Sequence, residues 1–324
     1  MSMRNPPALF LMGPTASGKS SLALALAEAL ANGATPWAGA TLISVDSAQI
    51  YRGMDIGTAK LPRETLARWP HGLIDILDPA ESYSAARFRE DALALAAAAR
   101  AQNRVPILVG GTGLYFRALE NGLSDLPMAD AGLREQLGAE AFDLGWPAMH
   151  AQLSNIDPEA AAKIKPSDPQ RILRALEIYA LTGRTRSAHW AAQKSAGLTG
   201  PLIKIGLLPP ERATLHAAIG ERFHQMMEAG FLDEVRQLKA RSDLHQGLPS
   251  IRAVGYRQLW EHLSGQCSLT DAVERGIIAT RQYAKRQITW LRSEPTLQLI
   301  DPRMSNALHF TLEQLQNATI VQAQ

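Results

Sequence analysis

A glycine-rich segment near the N-terminus constrains this chain more than any other feature. Residues 13–20 read G-P-T-A-S-G-K-S and match the phosphate-binding pattern G-x-x-x-x-G-K-[ST] at every fixed position. The apolar run Ala8–Met12 precedes the segment, and a stretch rich in Ala and Leu, 20–31, follows it. A strand, a tight loop and a helix in this order point backbone N–H groups and the positive end of the helix dipole at one place. The segment therefore predicts a site for a diphosphate or a triphosphate.

The side chains of this phosphate loop support the same interpretation. Lys19 brings a full positive charge, and the Ser20 hydroxyl is suited to ligate Mg²⁺. A glycine-rich turn that binds nothing is the alternative, and it leaves the match at all fixed positions unexplained. The residues predicted to bind the diphosphate are Gly13, Pro14, Thr15, Ala16, Ser17, Gly18, Lys19 and Ser20.

Apolar runs and helical patterns alternate along the first part of the chain, and an apolar run returns later. The predicted strands after the first are 41–45, 73–77, 106–109 and 202–208. Helices are predicted at 20–31 and at 83–100, where Ser84 is suited to cap the start. Strand, loop and helix repeated in this way predict an α/β fold, in which a P-loop NTPase-like parallel sheet is flanked by helices.

The pattern of apolar residues along the sequence changes after residue 126. The next seventy or so residues contain helical patterns and turn signals, including a helix that starts at Asp168 and ends at Gly183, and no convincing apolar strand. We therefore predict a mainly helical insertion domain, 127–199, within a catalytic core formed by 1–126 and 200–324.

The C-terminal part reads as helical from Arg212 to about Trp290. The last twenty or so residues are polar, and we expect them to be loosely held.

Composition limits the class of protein. Apolar residues make up 46% of the chain and charged residues 20%, which is typical of a globular protein with a sizeable core. The single cysteine, Cys267, excludes an internal disulfide and a cysteine-based zinc site within one chain. No apolar run approaches the roughly 18 residues of a membrane span. We therefore expect a cytoplasmic protein without a membrane segment.

Asp46 directly follows the second predicted strand. Residues at the carboxyl ends of parallel strands line the ligand crevice, on the same edge as the phosphate loop. An aspartate there can bind Mg²⁺ through water or take a proton from a nucleophile, and it can also simply cap a turn. Ser47, Ala48 and Gln49 follow it with amide and hydroxyl groups suited to hold a flat polar ring.

A basic segment occupies the end of the helical C-terminal part. It has no acidic residue between Glu274 and Glu294, and the aromatic residues Tyr283 and Trp290 interleave with the basic ones. Basic groups for phosphates beside aromatic rings for stacking are typical of an RNA-binding surface. A solvated helix with Trp290 in the core is the alternative. The basic residues are Arg275, Arg281, Lys285, Arg286 and Arg292.

Several blocks of this sequence, taken in order, resemble the tRNA dimethylallyltransferases, also called tRNA isopentenyltransferases. The blocks are GPTASGKS (13–20), DSAQIY (46–51), RGMDIGTAK (52–60), GGTGLY (110–115), DPQRILR (168–174), SIRAVGYR (250–257) and KRQITWLR (285–292). The resemblance implies that a dimethylallyl group moves from dimethylallyl diphosphate to N6 of adenosine 37, just 3′ of the anticodon. The substrates would be tRNAs that read codons starting with U, and the products N6-(dimethylallyl)adenosine and diphosphate.

The resemblance also assigns roles. It implies that Asp46 accepts the N6 proton, that Arg222 contacts the diphosphate, and that Thr15 and Thr112 lie near the reacting centre. The cofactor would be Mg²⁺ on Ser20, and the protein would act as a monomer whose insertion domain contacts the anticodon stem-loop. The target base must leave the stack to react, so we expect a channel with one opening for the diphosphate and another for the adenine.

The resemblance extends the tRNA-binding set beyond the basic segment. The residues expected to contact tRNA are Asp46, Ser47, Ala48, Gln49, Thr112, Arg134, Gln170, Arg171, Ile172, Leu173, Arg174, Arg252, Ala253, Val254, Gly255, Tyr256, Arg257, Lys285, Arg286, Gln287, Ile288, Thr289, Trp290, Leu291 and Arg292.

Three other functions are compatible with parts of the sequence. A small-molecule kinase would use the same phosphate loop with ATP, with the helical insertion as a lid, but it leaves the basic segment without a purpose. A transferase that acts on free adenine nucleotides would not need that segment either. A tRNA-binding module without chemistry would not need the phosphate loop.

Overall fold

A parallel sheet forms the centre of the protein in this computed structural model, which describes residues 5–123, 126–192 and 197–321. Its strands are β1 (Ala8–Met12), β2 (Ala40–Val45), β3 (His71–Gly72), β4 (Val105–Gly110), β5 (Leu202–Leu207) and β6 (Gln298–Ile300). Within the described residues they form one six-stranded sheet in the order β3-β2-β4-β1-β5-β6, and every pairing is parallel. The predicted α/β fold is confirmed.

Helices account for most of the remaining chain. They are α1 (Lys19–Ala31), α2 (Arg63–Arg68), α3 (Ala85–Ala101), α4 (Gly113–Asn121), α5 (Ala131–Leu144), α6 (Trp146–Ile156), α7 (Pro158–Lys163), α8 (Pro169–Thr182), α9 (Arg186–Ala191), α10 (Arg212–Glu228), α11 (Phe231–Lys239), α12 (Tyr256–Leu263), α13 (Leu269–Arg292) and α14 (Ala307–Val321). None of the helices in the described ranges is both long enough and apolar enough to span a membrane.

Alternating side chains of the strands pack on the two faces of the sheet. On one face, Leu9 and Leu11 of β1 join a buried cluster with Leu26 of α1 and Leu315 of α14. On the other face, Phe10 of β1 packs in a second cluster with residues of α3 and α4. Burial of both faces explains why β1 and β4 read as continuous apolar runs in the sequence.

The register of the central strands places the candidate site residues at one edge. Gly110 at the end of β4 lies opposite both Met12 of β1 and Val45 of β2. Because the strands are parallel, the loops that leave these three strands begin side by side. The phosphate loop, Asp46 and the loop after Gly110 therefore start at the same edge of the sheet.

The strand predicted at 73–77 is wrong. Pairing with β2 is limited to His71 and Gly72. Leu73 and Asp75 have φ of 67° and 56°, in the left-handed region, which an extended strand cannot contain. Leu77 returns to form a single parallel bridge with Tyr51. The segment is a buried turn, and its apolar residues face the core from a loop.

The C-terminal tail differs from its prediction as well. Residues Ala307–Val321 form helix α14 and are not a loosely held segment. Thr311 and Leu315 are fully buried, and the Thr311 hydroxyl donates to the carbonyl oxygen of Ala307. Strand β6, which the sequence did not indicate, pairs with β5 just before this helix. The polar residues of the tail occupy the outer face of a helix whose inner face covers α1.

The chain divides into two compact units. The first comprises residues up to 119 and from 198 onward, and it contains the sheet. The second comprises residues 120–197, and helices α5 to α9 lie within it. The second unit has its own hydrophobic cluster, which includes Met149, Leu153 and Ile172.

Candidate active site

The phosphate loop connects β1 to α1 through a tight turn. Ala16 and Gly18 have φ of 62° and 82°, a conformation that turns the chain back on itself. A Cβ at Gly13 would lie 2.8 Å from the carbonyl oxygen of Leu207, so no larger residue fits there without a shift. The turn brings the Lys19 ammonium onto the loop, where it donates to the carbonyl oxygen of Pro14 at 2.6 Å.

Two cations lie close together at this loop. Burial and the charge of Arg222 lower the pKa of Lys19 to about 7, and Asp46 acts in the opposite direction. Burial also lowers the pKa of Arg222, again opposed by Asp46. A bound anion would relieve the repulsion between the two cations and replace the water that burial removed. The electrostatics are therefore those of an anion site.

Helices α10 and α13 fix the loop from the other side. Arg222 of α10 donates to the hydroxyl of Thr15, and the Thr15 N–H donates to Gln287 Oε1 of α13 at 2.9 Å. The side-chain amide of Gln287 also donates, through Nε2, to the carbonyl oxygen of Gly111 at 3.0 Å. A single buried glutamine thus links the loop after β1 to the loop after β4.

Asp46 both caps a turn and faces the site. Its Oδ1 accepts from the N–H groups of Ala48 at 2.8 Å and Gln49 at 3.3 Å. Within the described part of the chain, no hydrogen bond is made by Oδ2. The Ser47 N–H donates to the hydroxyl of Thr112 at 3.2 Å, which fixes the same turn from β4. The carboxylate is therefore held by one oxygen with the other available.

Two cavities meet at these residues. The larger has a volume of 340 Å³ and has an apolar side that includes Ile219, Phe223 and Met226. The smaller has a volume of 100 Å³ and contains the phosphate-loop residues Lys19 and Ser20. Both cavities are lined by Thr15, Asp46, Thr58, Arg222 and Tyr283. The two cavities therefore adjoin at these five residues, and the channel with two openings stays a prediction.

Thr112 lies beside the two cavities, although it is not among the described residues that line them. Its hydroxyl accepts from the Ser47 N–H, so it holds the turn that carries Asp46. Tyr283, whose phenol is hydrogen-bonded to Thr112, lines both cavities, and burial, followed by the charge of Asp46, raises the pKa of this phenol to about 12. Tyr283 thus lines the cavities as a neutral hydroxyl. A catalytic role for Thr112 stays a prediction.

The oxygen donors at the smaller cavity suit a hard divalent cation. Ser20 and Asp46 both line it, and Mg²⁺ in diphosphate sites takes one or two protein oxygens while phosphate oxygens and water complete its shell. Among the described residues, no group of three or more His, Cys, Asp or Glu is arranged to hold a metal by itself. The residues present therefore fit Mg²⁺ bound together with a diphosphate.

The basic segment folds as the last turns of α13, and its faces differ. Lys285, Arg286, Thr289 and Arg292 are exposed. Trp290 is half-buried and stacks on Phe116, with ring centroids 5.9 Å apart. The basic groups of this helix are therefore available to a partner, whereas the core interpretation describes Trp290 better.

Four residues of the expected tRNA-contact set have buried side chains. They are Ile172, Tyr256, Gln287 and Leu291. Ile172 and Leu291 pack in the cores of their own units, whereas Tyr256 lines the larger cavity and Gln287 lines the smaller one. Contact of these four residues with tRNA stays a prediction, and for Ile172 and Leu291 it would involve the backbone, because helical neighbours of exposed residues point to the opposite face.

The remaining members of the set differ in exposure. Arg252 and Arg257 are exposed, and Arg252 lines the larger cavity with Ala253 and Val254. In the second unit, Gln170 and Arg171 are exposed at the start of α8. Those that are neither exposed nor counted among the four are Asp46, Ala48, Gln49, Thr112, Leu173, Arg174, Ala253, Val254, Gly255, Ile288 and Trp290.

Arg134 and Arg174 share one buried carboxylate in the second unit. Glu177 is fully buried and accepts from Arg134 at 2.9 and 3.1 Å and from Arg174 at 2.6 Å. Desolvation opposes the charged form of Glu177, yet the two guanidinium groups lower its pKa. Both arginines keep part of their surface exposed, so each is a restrained cation at the surface of this unit.

Two residues of the site escaped the sequence-based assignment. Thr58 lies in the block 52–60 but carried no motif position of its own, and Tyr283 appeared only as an aromatic neighbour of basic residues. Both reach the cavities through packing between elements distant in sequence. The position of Thr58 within the block 52–60 was the one available signal for it, whereas Tyr283 lies two residues before the block 285–292.

Comparison with known proteins agrees with this geometry. The sequence model of the IPP transferase family matches residues 49–294. Among solved structures, the full-length tRNA isopentenylpyrophosphate transferase from Bacillus halodurans is 35% identical, with a TM-score of 0.70, and the alignment covers 98% of this chain and 100% of that one. The tRNA Δ(2)-isopentenylpyrophosphate transferase from Staphylococcus epidermidis is 32% identical, with a TM-score of 0.65 and the same coverage.

A eukaryotic dimethylallyltransferase acting on tRNA is also similar. It is 26% identical, with a TM-score of 0.79, and the alignment covers 98% of this chain and 80% of that one. The fold and site define an α/β transferase with a phosphate loop. The chain belongs to the IPP transferase family.

Proposed function

We propose that this protein transfers a dimethylallyl group from dimethylallyl diphosphate to N6 of adenosine 37 in tRNA. In this reaction the C–O bond to the diphosphate breaks, an N–C bond to the adenine forms, and one proton leaves N6. Family membership supports the transferase class. The observation that carries the proposal is the meeting of a cationic phosphate-loop cavity with a larger, partly apolar cavity at Asp46.

The smaller cavity suits the leaving diphosphate. Lys19 and Arg222 supply positive charge where charge develops on the leaving oxygen, and the loop N–H groups add donors there. Thr15 lies between them, with its hydroxyl held by Arg222. The Ser20 hydroxyl would hold Mg²⁺, which would supply further positive charge to the diphosphate.

Asp46 is suited to the proton transfer. It lines both cavities, so a nucleophile in the larger one and a leaving group in the smaller one would both lie near it. Its Oδ1 is fixed by backbone N–H groups, and this leaves Oδ2 to face the amine. Gln49 lines the smaller cavity nearby, and its Oε1 keeps one acceptor site, beyond the bond from the Ser44 hydroxyl, for a donor on the edge of a purine.

The tRNA would be bound mainly through exposed cations. Lys285, Arg286 and Arg292 on α13 and Arg252 beside the larger cavity are placed for phosphates near the reactive adenosine. The second unit would contribute Arg134, Arg171 and Arg174 as the helical domain that contacts the anticodon stem-loop. We further propose a monomer that modifies tRNAs reading codons that start with U.

Mass spectrometry of nucleosides from unmodified tRNA incubated with dimethylallyl diphosphate and Mg²⁺ tests the proposal. We expect N6-(dimethylallyl)adenosine at position 37 and release of diphosphate. Incubation with ATP in place of the prenyl donor, and with AMP in place of tRNA, distinguishes the kinase and free-nucleotide alternatives. Label that moves from ATP to a phosphate acceptor, or AMP that is used as well as tRNA, would contradict the proposal.

A further inference from the structure

A half-buried carboxylate outside both cavities organises one wall of the site. Glu234 of α11 accepts from the N–H groups of Asp55 and Ile56, both at 2.8 Å, and from that of Gly57 at 3.1 Å. The phenol of Tyr256 donates to the same carboxylate at 2.5 Å. Consecutive backbone N–H groups that converge on one anion form a nest, and here the anion is supplied by the chain itself.

The segment held in this way is a compact turn, 54–60, here called the nest turn. Within this turn, the Thr58 hydroxyl donates to the carbonyl oxygen of Met54 at 2.5 Å. The Lys60 N–H donates to the carbonyl oxygen of Asp55 at 3.0 Å. A Cβ at Gly57 would lie 2.1 Å from the ring of Phe231, and Phe231 is the first residue of α11. The nest turn therefore sits directly against the helix that carries Glu234.

The nest turn leads straight into the site. Thr58 lines both cavities, and the carbonyl oxygens of Thr58 and Ala59 accept from Gln49 Nε2 at 3.2 and 3.5 Å. Gln49 Oε1 accepts in turn from the Ser44 hydroxyl at 3.2 Å. These bonds fix which end of the Gln49 amide is donor and which is acceptor. The orientation of Gln49 thus depends on where the nest turn lies.

We propose that Glu234 is a positioning residue for the acceptor side of the site: through the nest turn it sets Thr58 and the amide of Gln49 in the orientation that holds the adenine edge. The inference rests on the proposed function, since it assumes that a purine reaches Gln49. The phosphate loop takes its contacts from Arg222 and Gln287, so Glu234 has no corresponding part in holding the diphosphate.

The Glu234→Gln variant tests this role with almost no change in shape. The amide keeps one acceptor oxygen but turns an NH₂ group toward backbone donors, so the nest turn must shift. We expect kcat/KM for tRNA to fall by about 10- to 100-fold, the range that a displacement of about 1 Å produces. The KM for dimethylallyl diphosphate should stay within about twofold of the wild-type value.

Asp233→Asn is the matched control, because Asp233 is the preceding residue of the same helix but is exposed and pairs with Arg236. It should leave both substrates unaffected. If Glu234 only stabilised the fold, its replacement would lower kcat in proportion to the folded fraction of the protein. The KM for tRNA and the KM for dimethylallyl diphosphate would both stay unchanged. That result, or wild-type parameters in a folded Glu234→Gln protein, would overturn the inference.

A second variant covers the case in which Glu234→Gln does not fold. Tyr256→Phe removes one of the bonds to Glu234 and leaves the backbone donors in place. It should lower kcat/KM for tRNA in the same selective way by about two- to tenfold, and an unselective loss would overturn the inference. If the wild-type protein does not modify tRNA, the proposed function and this inference are both wrong. If the wild-type protein is active and the variants behave like it, only the inference is wrong.

Discussion

At the scale of single residues, the site depends on carboxylates and amides whose partners come from distant parts of the chain. Asp46 combines two uses that looked like alternatives in the sequence, because one oxygen caps a turn while the other is available to the site. The cap therefore leaves Oδ2 available for the proposed proton transfer and fixes the orientation of the carboxylate.

Replacing Asp46 with alanine should slow the chemical step and spare binding. Loss of a general base typically costs about 10²- to 10⁴-fold in rate, and we expect a fall of that size in single-turnover prenylation. The affinity for tRNA, measured by filter binding, should stay near the wild-type value because Asp46 is one contact among many. An Asp46→Ala enzyme with a near-normal single-turnover rate would contradict its assignment as the base.

Lys19 should make diphosphate binding depend on pH. Its pKa is about 7 in the free protein because burial and Arg222 disfavour the charge, and a bound diphosphate would raise that pKa. Below about pH 7 the ammonium is already charged, so no proton is needed. Above this pH, binding must take up a proton, and affinity should weaken as the pH rises toward about 9.

Calorimetric titration with inorganic diphosphate in two buffers of different ionisation enthalpy measures this proton uptake. Lys19→Arg is the control, because the guanidinium stays charged throughout and reports the titration of the ligand alone. Proton uptake should exceed that of the control at about pH 8 and equal it at about pH 6. Identical pH profiles for the two proteins would show that Lys19 is charged in the free site.

Sequence reasoning located the phosphate loop and Asp46 because their function depends on local chemistry. A tight turn needs glycine, and an anion needs N–H groups and a lysine, so the pattern is written in consecutive residues. The places of Tyr283 and Thr58 depend on how α13 and the nest turn pack against the sheet edge, which no local pattern encodes. The contact of Thr112 with the Ser47 N–H was unpredictable for the same reason, since the two residues lie on different loops.

At the scale of elements, the errors were those in which tertiary contacts override local composition. Residues 73–77 are apolar enough for a strand, but Leu73 and Asp75 adopt left-handed backbone conformations within a buried turn. Helix α14 looks polar in sequence, yet Thr311 and Leu315 bury one face against the helix that follows the phosphate loop. Long buried strands such as β1 and β4 were predictable because their entire length is apolar.

Helix α13 has opposite faces for two tasks. Gln287 and Leu291 point into the core, and Lys285 and Arg286 point to solvent. Lys285→Ala should therefore weaken tRNA binding and lower the slope of log affinity against log salt concentration by about 1, without changing stability.

The control for this prediction is Arg68→Ala, which removes an exposed arginine of α2 that pairs with Glu28 of α1. Binding measured across a series of salt concentrations should separate the two variants. An unchanged slope for Lys285→Ala would mean that Lys285 faces bulk water in the complex.

At the scale of the whole molecule, the second unit is inserted between two parts of the first. The N–H of Leu198 donates to the carbonyl oxygen of Leu119 at 2.6 Å, and both residues belong to the first unit. The chain therefore leaves and re-enters the first unit at adjacent points. The second unit has its own buried cluster, and all strands of the six-stranded sheet belong to the first unit.

Replacing residues 121–196 with a glycine–serine turn of about four residues should separate the two substrates. We expect the shortened protein to unfold cooperatively and to bind inorganic diphosphate within about threefold of the intact affinity, since Lys19, Arg222 and Gln287 all remain. Transfer to tRNA should be lost, because Arg134, Arg171 and Arg174 leave with the insertion. Full activity on tRNA would show that the second unit does not bind it, and failure to fold would show that the first unit depends on it.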